Sequence, residues 1–383
     1  MNFELNEEQQ ALQGSLSRLL GDVYGFEQRR AIAATPAGWS QPVWQQLGAL
    51  GLTALPLPQA HGGFGGGAVD LLPVMQELGR ALSLEPFLAS IVLGATALRL
   101  AGDDAMQAQL LPDVASGEVR LAWAHDEAGG HQAALWIETT ARQDGGQWRL
   151  DGAKCNVLHA TAAHRFVVSA RTAGAPGDAN GLALFLVDAN APGVACRPHR
   201  MVDDTPGGEL HFTAAAALPL GDPRDGAAAL KAIECTLAAG TAAVCADAVG
   251  AMESAYRLAI DYLNTRKQFG RLIGENQALR HRAAEMLVSL EMCRSMAMAA
   301  AIAADDLDAP DAPDTPGARA DLARAKLMIG RHGRSLCHAA IQLHGGIGMT
   351  EEYAVGHCLR RVTLIDQLFG DVEAQATRLA EMQ

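Results

Sequence analysis

The chain has 383 residues, is 49% hydrophobic and carries a formal net charge of −13. That length allows two or three domains and a large core. The acidity repels nucleic-acid phosphates, and no basic patch with interleaved aromatics offsets it. Few aromatics and abundant alanine favour helices, because alanine loses no side-chain entropy on entering one.

Met1 to Gln10 is polar and acidic, without the basic region and apolar run of a secretory signal. No run reaches the roughly 20 apolar residues that cross a bilayer. A cytoplasmic protein with neither a membrane nor a nucleic acid as partner is expected. Seven cysteines (Cys155, Cys196, Cys235, Cys245, Cys293, Cys337 and Cys358) are odd in number and lack metal-site spacing. They read as reduced, mostly buried thiols. His125, His159, His344 and His357 share no ligand spacing either, so no metal site is expected.

In chain order, Glu7 to Leu20 places Ala11, Leu12, Leu16, Leu19 and Leu20 at helical spacing. Trp44, Leu47 and Leu50 belong to a second helix ahead of a break at Gly51. Pro56 and Pro58 lead into the glycine-rich stretch His61 to Gly67, which cannot hold regular structure cheaply. Leu71 to Leu82 and Ala89 to Ala101 resume the helical pattern. The middle then changes character. Trp148 to Leu150, Phe166 to Ala170 and Leu182 to Val187 read as strands, punctuated by Asp151-Gly152 and by Gly177 to Gly181. From Asp225 a long helix runs to about Leu263, with Ile233, Leu237, Val244, Ala248 and Met252 on one face. Leu279 to Ala304 makes another. Asp305 to Pro316, rich in proline and aspartate, is expected as a solvated loop. Leu322 to His344 and Leu364 to Met382 complete the helices. The predicted organisation is mainly α with a β middle domain. A helical domain covers residues 1–118, a small β barrel or sandwich residues 119–222, and a helical bundle residues 223–383.

Two segments carry chemistry. The first runs from Tyr262 through Arg266, Lys267, Gln268, Phe269 and Gly270, with Ile273 and Gln277 beyond. The second runs from Gln342 through His344, Gly345, Gly346, Gly348 and Glu352 to Tyr353. Arg266 offers a fixed fork of donors suited to a pyrophosphate. Gly345 and Gly346 let a backbone approach a phosphate closely. Gln268, Gln277 and Gln342 supply amide hydrogen bonds. The same residues would also serve as a salt-bridged arginine and a tight inter-helix turn.

Together the two segments resemble the C-terminal signatures of the acyl-CoA dehydrogenase family, and the helix–β–helix order and length match over essentially the whole chain. The resemblance implies that family's fold, with a C-terminal four-helix bundle. It also implies FAD, and α,β-dehydrogenation of an acyl-CoA thioester with electron-transfer flavoprotein as acceptor. A glutamate then takes the α-proton while hydride leaves for the flavin, the protein supplying position and base. By the same resemblance Arg266, Gln268, Phe269, Gln277, Gln342, Gly345 and Gly346 bind the adenine and pyrophosphate end of an FAD held mainly by a neighbouring subunit.

The sequence departs from the family at the base. Counting without a gap from Gln342 to Gly370, the usual glutamate position is Phe369. The minority location, near the start of the long helix, falls on Gly240 and Thr241. Asp366, Asp371 and Glu234 are the nearby carboxylates that could replace it. In the middle domain, Ala124 to Gly130 stands where the family has a Thr-Glu-Pro stretch and a Gly-Ser loop against the flavin. Asn156-Val157-Leu158 stands where it has a Trp-Ile-Thr strand. The chain is most similar to the small subunit of pimeloyl-CoA-type heteromeric enzymes. The expectation is a subunit without the catalytic glutamate, paired with a paralogous dehydrogenase chain. A self-sufficient homodimer or homotetramer with a relocated base, and a non-enzymatic scaffold, are the alternatives.

Overall fold

A computed structural model describes residues 5–130, 133–309 and 316–382. Helices α1 (Glu7–Val23), α2 (Phe26–Ala33), α3 (Gln41–Ala49), α4 (Ala68–Arg80), α5 (Ala95–Ala101) and α6 (Asp104–Ala115) come first. Strands β1 (Leu121–Ala124), β2 (Thr140–Asp144), β3 (Gln147–Leu158), β4 (Arg165–Arg171), β5 (Leu182–Asp188), β6 (Val194–Arg200) and β7 (Pro206–Leu220) follow. The chain ends with α7 (Gly226–Thr265), a hairpin of β8 (Lys267–Gln268) and β9 (Arg271–Leu272), then α8 (Gln277–Asp308), α9 (Pro316–His344), α10 (Ala354–Gln367) and α11 (Val372–Glu381).

Two compact units form. One takes Met1–Arg30, Leu71–Ser83 and Thr241–Gln383, the other Ala31–Asp70 and Leu84–Gly240. In the second unit, strands β4, β2, β3, β7 and β5 pair in that order and β5 returns to β4, closing a barrel; β1 extends it beside β4 and β6 beside β7. Its interior is filled by Leu150, Val157, Phe166, Val168, Phe185, Val187, Leu210 and Phe212. Gly145 and Gly146, at φ 56° and 83°, make the two-residue turn between β2 and β3, as a hairpin with right-handed twist requires. Asp151-Gly152 was expected to end a strand. It lies inside β3 at a shift in register against β7, so it bends the strand rather than stopping it.

The first unit is a helical bundle. Asn6 caps α1 in a reciprocal capping box with Gln9, and Leu16 and Leu20 turn inward. Helices α4 and α7 cross with backbones in contact. A Cβ at Gly250 would lie 2.0 Å from the Gln76 carbonyl, and one at Gly79 2.0 Å from that of Asp247. Arg80 of α4 and Arg257 of α7 both pair with Glu253, and Arg294 of α8 joins them at 3.3 Å. Gly240 through Glu253 is buried at every position, which explains the small side chains there.

Three expectations are corrected. Asp305 to Asp308 is helical, as the end of α8, while residues 310–315 lie outside the described chain. The single terminal helix is two, α10 and α11, because Phe369 and Gly370 take φ of 59° and 95° and break it. Helices α7 and α8 are long and apolar enough to cross a membrane by length and composition, although 89% of the apolar window of α7 is packed inside the protein.

Candidate functional site

The first motif forms an exposed hairpin at the end of α7. The Arg266 N–H still bonds to the Tyr262 carbonyl at 2.9 Å, and the Ile273 N–H returns to the Arg266 carbonyl at 2.9 Å. Between them Lys267 pairs with Leu272 and Gln268 with Arg271. Phe269 and Gly270 make the turn at φ 50° and 80°. A bulky residue in the left-handed region costs about 1–2 kcal/mol. Phe269 is nevertheless fully exposed, so its ring recovers nothing by packing on its own chain. Arg266 and Gln268 are exposed, as are Gln277, the first residue of α8, and Gln342, near the end of α9. Among the described residues no hydrogen bond or ion pair engages the Arg266 guanidinium.

The second motif follows α9. Gly345 has φ 67°, and a Cβ built on Gly345 or Gly346 meets nothing within 4 Å. Ile347 and Met349 beside them are exposed at 44% and 78%. His344 connects the two motifs. Its ring lies 4.7 Å from the Tyr262 ring and 4.9 Å from that of Tyr353. The hairpin and the glycine turn are therefore neighbours in one unit. They combine an unpaired guanidinium, glycine backbone open to approach, and exposed apolar groups. That set suits a diphosphate joined to a planar ring, and it fits the adenine and pyrophosphate end of FAD.

The positions expected for a base are differently built. Phe369 sits in the turn between α10 and α11. Its carbonyl accepts a hydrogen bond from Gln375 Nε2 at 2.8 Å, and that of Gly370 accepts one at 3.2 Å. Lys326 Nζ, fully buried, donates to the carbonyls of Asp366 and Gly370, both at 3.0 Å. Burial lowers the Lys326 pKa, against Cys245, Asp366 and Asp371 nearby. Gly240 and Thr241 are interior positions of α7. Asp371 caps α11 by accepting from the Ala374 N–H at 2.9 Å. Asp366 is buried 3.6 Å from Arg334 and faces Gly330, where a Cβ would lie 2.5 Å from its Oδ1. Glu234 is half-buried on α7.

In the barrel the segment after β1 is locked by a buried network. Lys154 Nζ donates to Glu127 Oε1 at 2.6 Å, and to the His125 carbonyl and Ser169 Oγ at 3.0 Å each. Glu127 also accepts the N–H groups of Glu138 and Thr139. His125 lies 2.9 Å from Ser169 Oγ and 2.8 Å from the Ala134 carbonyl, stacked on Trp123. Burial, then the Lys154 charge, pushes its pKa down to about 3. Trp136 donates to Glu138 at 2.8 Å. Both lie over the glycine loop: a Cβ on Gly129 would meet Glu138 Oε1 at 2.5 Å and Trp136 Nε1 at 2.8 Å. Asn156 stands at φ 51° in a shifted part of β3. The strand of Lys154 also carries Gln147, Arg149, Asp151 and Asn156, so nothing in the linear sequence sets Lys154 apart.

Among the described residues no group of three or more His, Cys, Asp or Glu is placed to hold a metal ion.

Family models match nearly the whole chain: the acyl-CoA dehydrogenase N-terminal domain over residues 6–118, the middle domain over 121–215 and the C-terminal domain over 230–383. The chain is similar to the probable acyl-CoA dehydrogenase YngJ of Bacillus subtilis, with 28% identity over 99% of both chains. It is similar to the acyl-CoA dehydrogenase FadE12 of Mycobacterium tuberculosis, with 30% identity over 92% of this chain and 90% of the relative. Among solved structures, a Tcur3481-Tcur3483 steroid ACAD variant superposes with a TM-score of 0.86 at 30% identity, covering 98% of this chain and 97% of the other. The ChsE4-ChsE5 complex of Mycobacterium tuberculosis gives 0.87 at 25% identity, covering 100% and 98%. With motifs, fold and relatives in agreement, the chain belongs to the acyl-CoA dehydrogenase family.

Proposed function

We propose that this chain is the subunit without a catalytic base in a heteromeric, FAD-dependent acyl-CoA dehydrogenase, and that it completes the flavin site of a paralogous partner. One contrast carries the reading. The surface of Arg266, Gln268, Phe269, Gln277, Gln342, Gly345 and Gly346 is exposed and its guanidinium unengaged. On the other side Phe369 cannot take a proton, and Trp136 and Glu138 cover the Gly129–Gly130 loop. A group that is presented but not used by its own chain is what a partner's cofactor needs. One similar solved structure is the ChsE4-ChsE5 complex, and another carries the paired name Tcur3481-Tcur3483.

In this reading FAD supplies the hydride acceptor when bound. Arg266 holds its pyrophosphate, the glutamine amides and the Gly345–Gly346 backbone hold its adenylate end, and Phe269 shields it from water. The substrate is an acyl-CoA, with the dicarboxylic, pimeloyl-type class favoured by sequence resemblance alone. The acceptor is electron-transfer flavoprotein and the compartment the cytoplasm. The functional domains are residues 1–118, 119–222 and 223–383. A self-sufficient enzyme with a relocated base is less well supported. Asp371 is committed to capping α11 and Asp366 is buried against Gly330.

The test is purification of the chain alone and with a paralogous subunit that carries the glutamate. The expected result is little flavin and no turnover for the single chain, and stoichiometric FAD with acyl-CoA dehydrogenation for the pair. Full FAD and turnover from the single chain would refute the partner-subunit reading. Neither FAD nor turnover from the pair would favour a scaffold.

A further inference from the structure

His344 is 3% exposed and holds both nitrogens in defined bonds. Nδ1 lies 2.7 Å from the Ala340 carbonyl, which only accepts, so Nδ1 carries the hydrogen. Nε2 is then an acceptor, and the Tyr353 hydroxyl donates to it at 3.2 Å. Burial lowers the His344 pKa, against the opposing pull of the Ala340 and Leu258 carbonyls, which agrees with a neutral ring. The ionisable side chains facing it are Tyr262 and Tyr353, with Asp261 near Tyr353.

The placement of this ring matters more than its chemistry. Tyr262, its ring 4.7 Å from that of His344, is one helical turn before Arg266, whose N–H bonds to the Tyr262 carbonyl at 2.9 Å. His344 itself immediately precedes Gly345. Tyr353, whose hydroxyl bonds to the ring, is the N-cap of α10 just beyond the turn of Gly345–Met349. One neutral imidazole thus fixes the spacing between the guanidinium and the glycine backbone. We infer that His344 is a positioning residue for the pyrophosphate-binding surface, setting Arg266 against Gly345–Gly346 through Tyr262 and Tyr353. The inference rests on the cofactor role proposed above for that surface.

The test is a cycle of variants in the full-length chain within its flavin-containing assembly, read by quenching of FAD fluorescence. His344→Leu removes both ring bonds at similar volume, and Tyr353→Phe removes only the hydroxyl. Arg266→Ala removes the guanidinium. His344→Leu is expected to weaken FAD binding about tenfold and Tyr353→Phe about threefold, since a tenfold change is ~1.4 kcal/mol. In the Arg266→Ala background both effects should shrink, because a ring that acts by aiming Arg266 has nothing left to aim. A residue that only supports the fold would lower thermal stability and give the same fold-change in both backgrounds. Additive effects on FAD affinity therefore overturn the positioning role while leaving the cofactor surface standing. No effect of Arg266→Ala itself overturns both. Should His344→Leu fail to fold, the Tyr353→Phe arm of the cycle decides by the same criterion.

Discussion

The buried pair in the barrel yields the sharpest stability prediction. The side chains of Lys154 and Glu127 are 0% and 3% exposed. All three ammonium protons of Lys154 have acceptors: Glu127, the His125 carbonyl and Ser169. Lys154→Met keeps the length of the side chain and removes the charge. The Glu127 carboxylate then keeps two backbone N–H donors and loses its counter-charge. Removing one partner of a buried ion pair costs about 3–5 kcal/mol, because the other charge stays behind in a poorly solvated place. Adding Glu127→Gln removes that stranded charge, so the double variant should lose less than Lys154→Met alone. The assay is urea unfolding followed by tryptophan emission, with Trp123, Trp136 and Trp148 all in the barrel unit. Hydrogen exchange at the Glu138 and Thr139 amides reads the lock directly. A loss under about 1 kcal/mol, or unchanged protection of those amides, would show that Glu127 is already hydrated and the loop not locked by this pair.

Acid should weaken the same region. His125 is held at about 3 against an ordinary 6.5, so the unfolded chain takes up the proton first. The stability present above pH 6.5 is lost as pH falls toward 3, by up to ~1.4 kcal/mol per unit for this group; His125→Asn should flatten that slope in acid titrations of the unfolding midpoint, and an unchanged slope would count against it. Gly250→Ala drives a Cβ to 2.0 Å from the Gln76 carbonyl and should destabilise by about 2–3 kcal/mol in thermal unfolding. Gly346→Ala, with nothing within 4 Å, should leave the melting temperature alone yet weaken FAD binding. Phe369→Glu replaces a residue already at φ 59°, so folding should be little changed. No dehydrogenase turnover should appear in the single chain, and turnover would mean that only the base was missing.

Much of this was legible in the linear sequence. The helix–β–helix order, the long apolar α7 and the two motif segments each lie within a contiguous stretch, where periodicity and spacing carry the signal. Other elements were hidden for physical reasons. Thr213 to Ala217 reads as helix by propensity, yet it belongs to β7. There Ala215, Ala216 and Ala217 pair with Leu150, Arg149 and Trp148 of β3, so the demand of the closed barrel outweighs alanine's preference. The hairpin at Gly145–Gly146 carried a usable turn signal that Asp151-Gly152 obscured. Glu127 lies 27 residues before Lys154, and Tyr262 reaches His344 from the other motif. Only the folded chain shows that Glu127 neutralises Lys154 and that Tyr262 and Tyr353 both pack against His344.

The turn at Phe369 is held by contacts that do not depend on which side chain it displays. Its left-handed backbone is held by Gln375 and Lys326 through the carbonyls of Asp366, Phe369 and Gly370. None of these bonds involves the side chain at 369. The turn is needed to end α10 and to let Asp371 start α11, whatever residue it displays. A phenylalanine there adds about 1–2 kcal/mol of backbone strain, as any non-glycine residue would. The scaffold therefore constrains position 369 in geometry and leaves it free in chemistry. On the proposed partner-subunit reading, position 369 can therefore go without a carboxylate at no structural cost. Lys326→Met tests this division: it should destabilise the α10–α11 corner by about 3 kcal/mol through unsatisfied carbonyls, measured by hydrogen exchange at Gly370 to Gln375. Unchanged exchange there would mean that the turn holds itself, and that Phe369 owes its conformation to something other than these two donors.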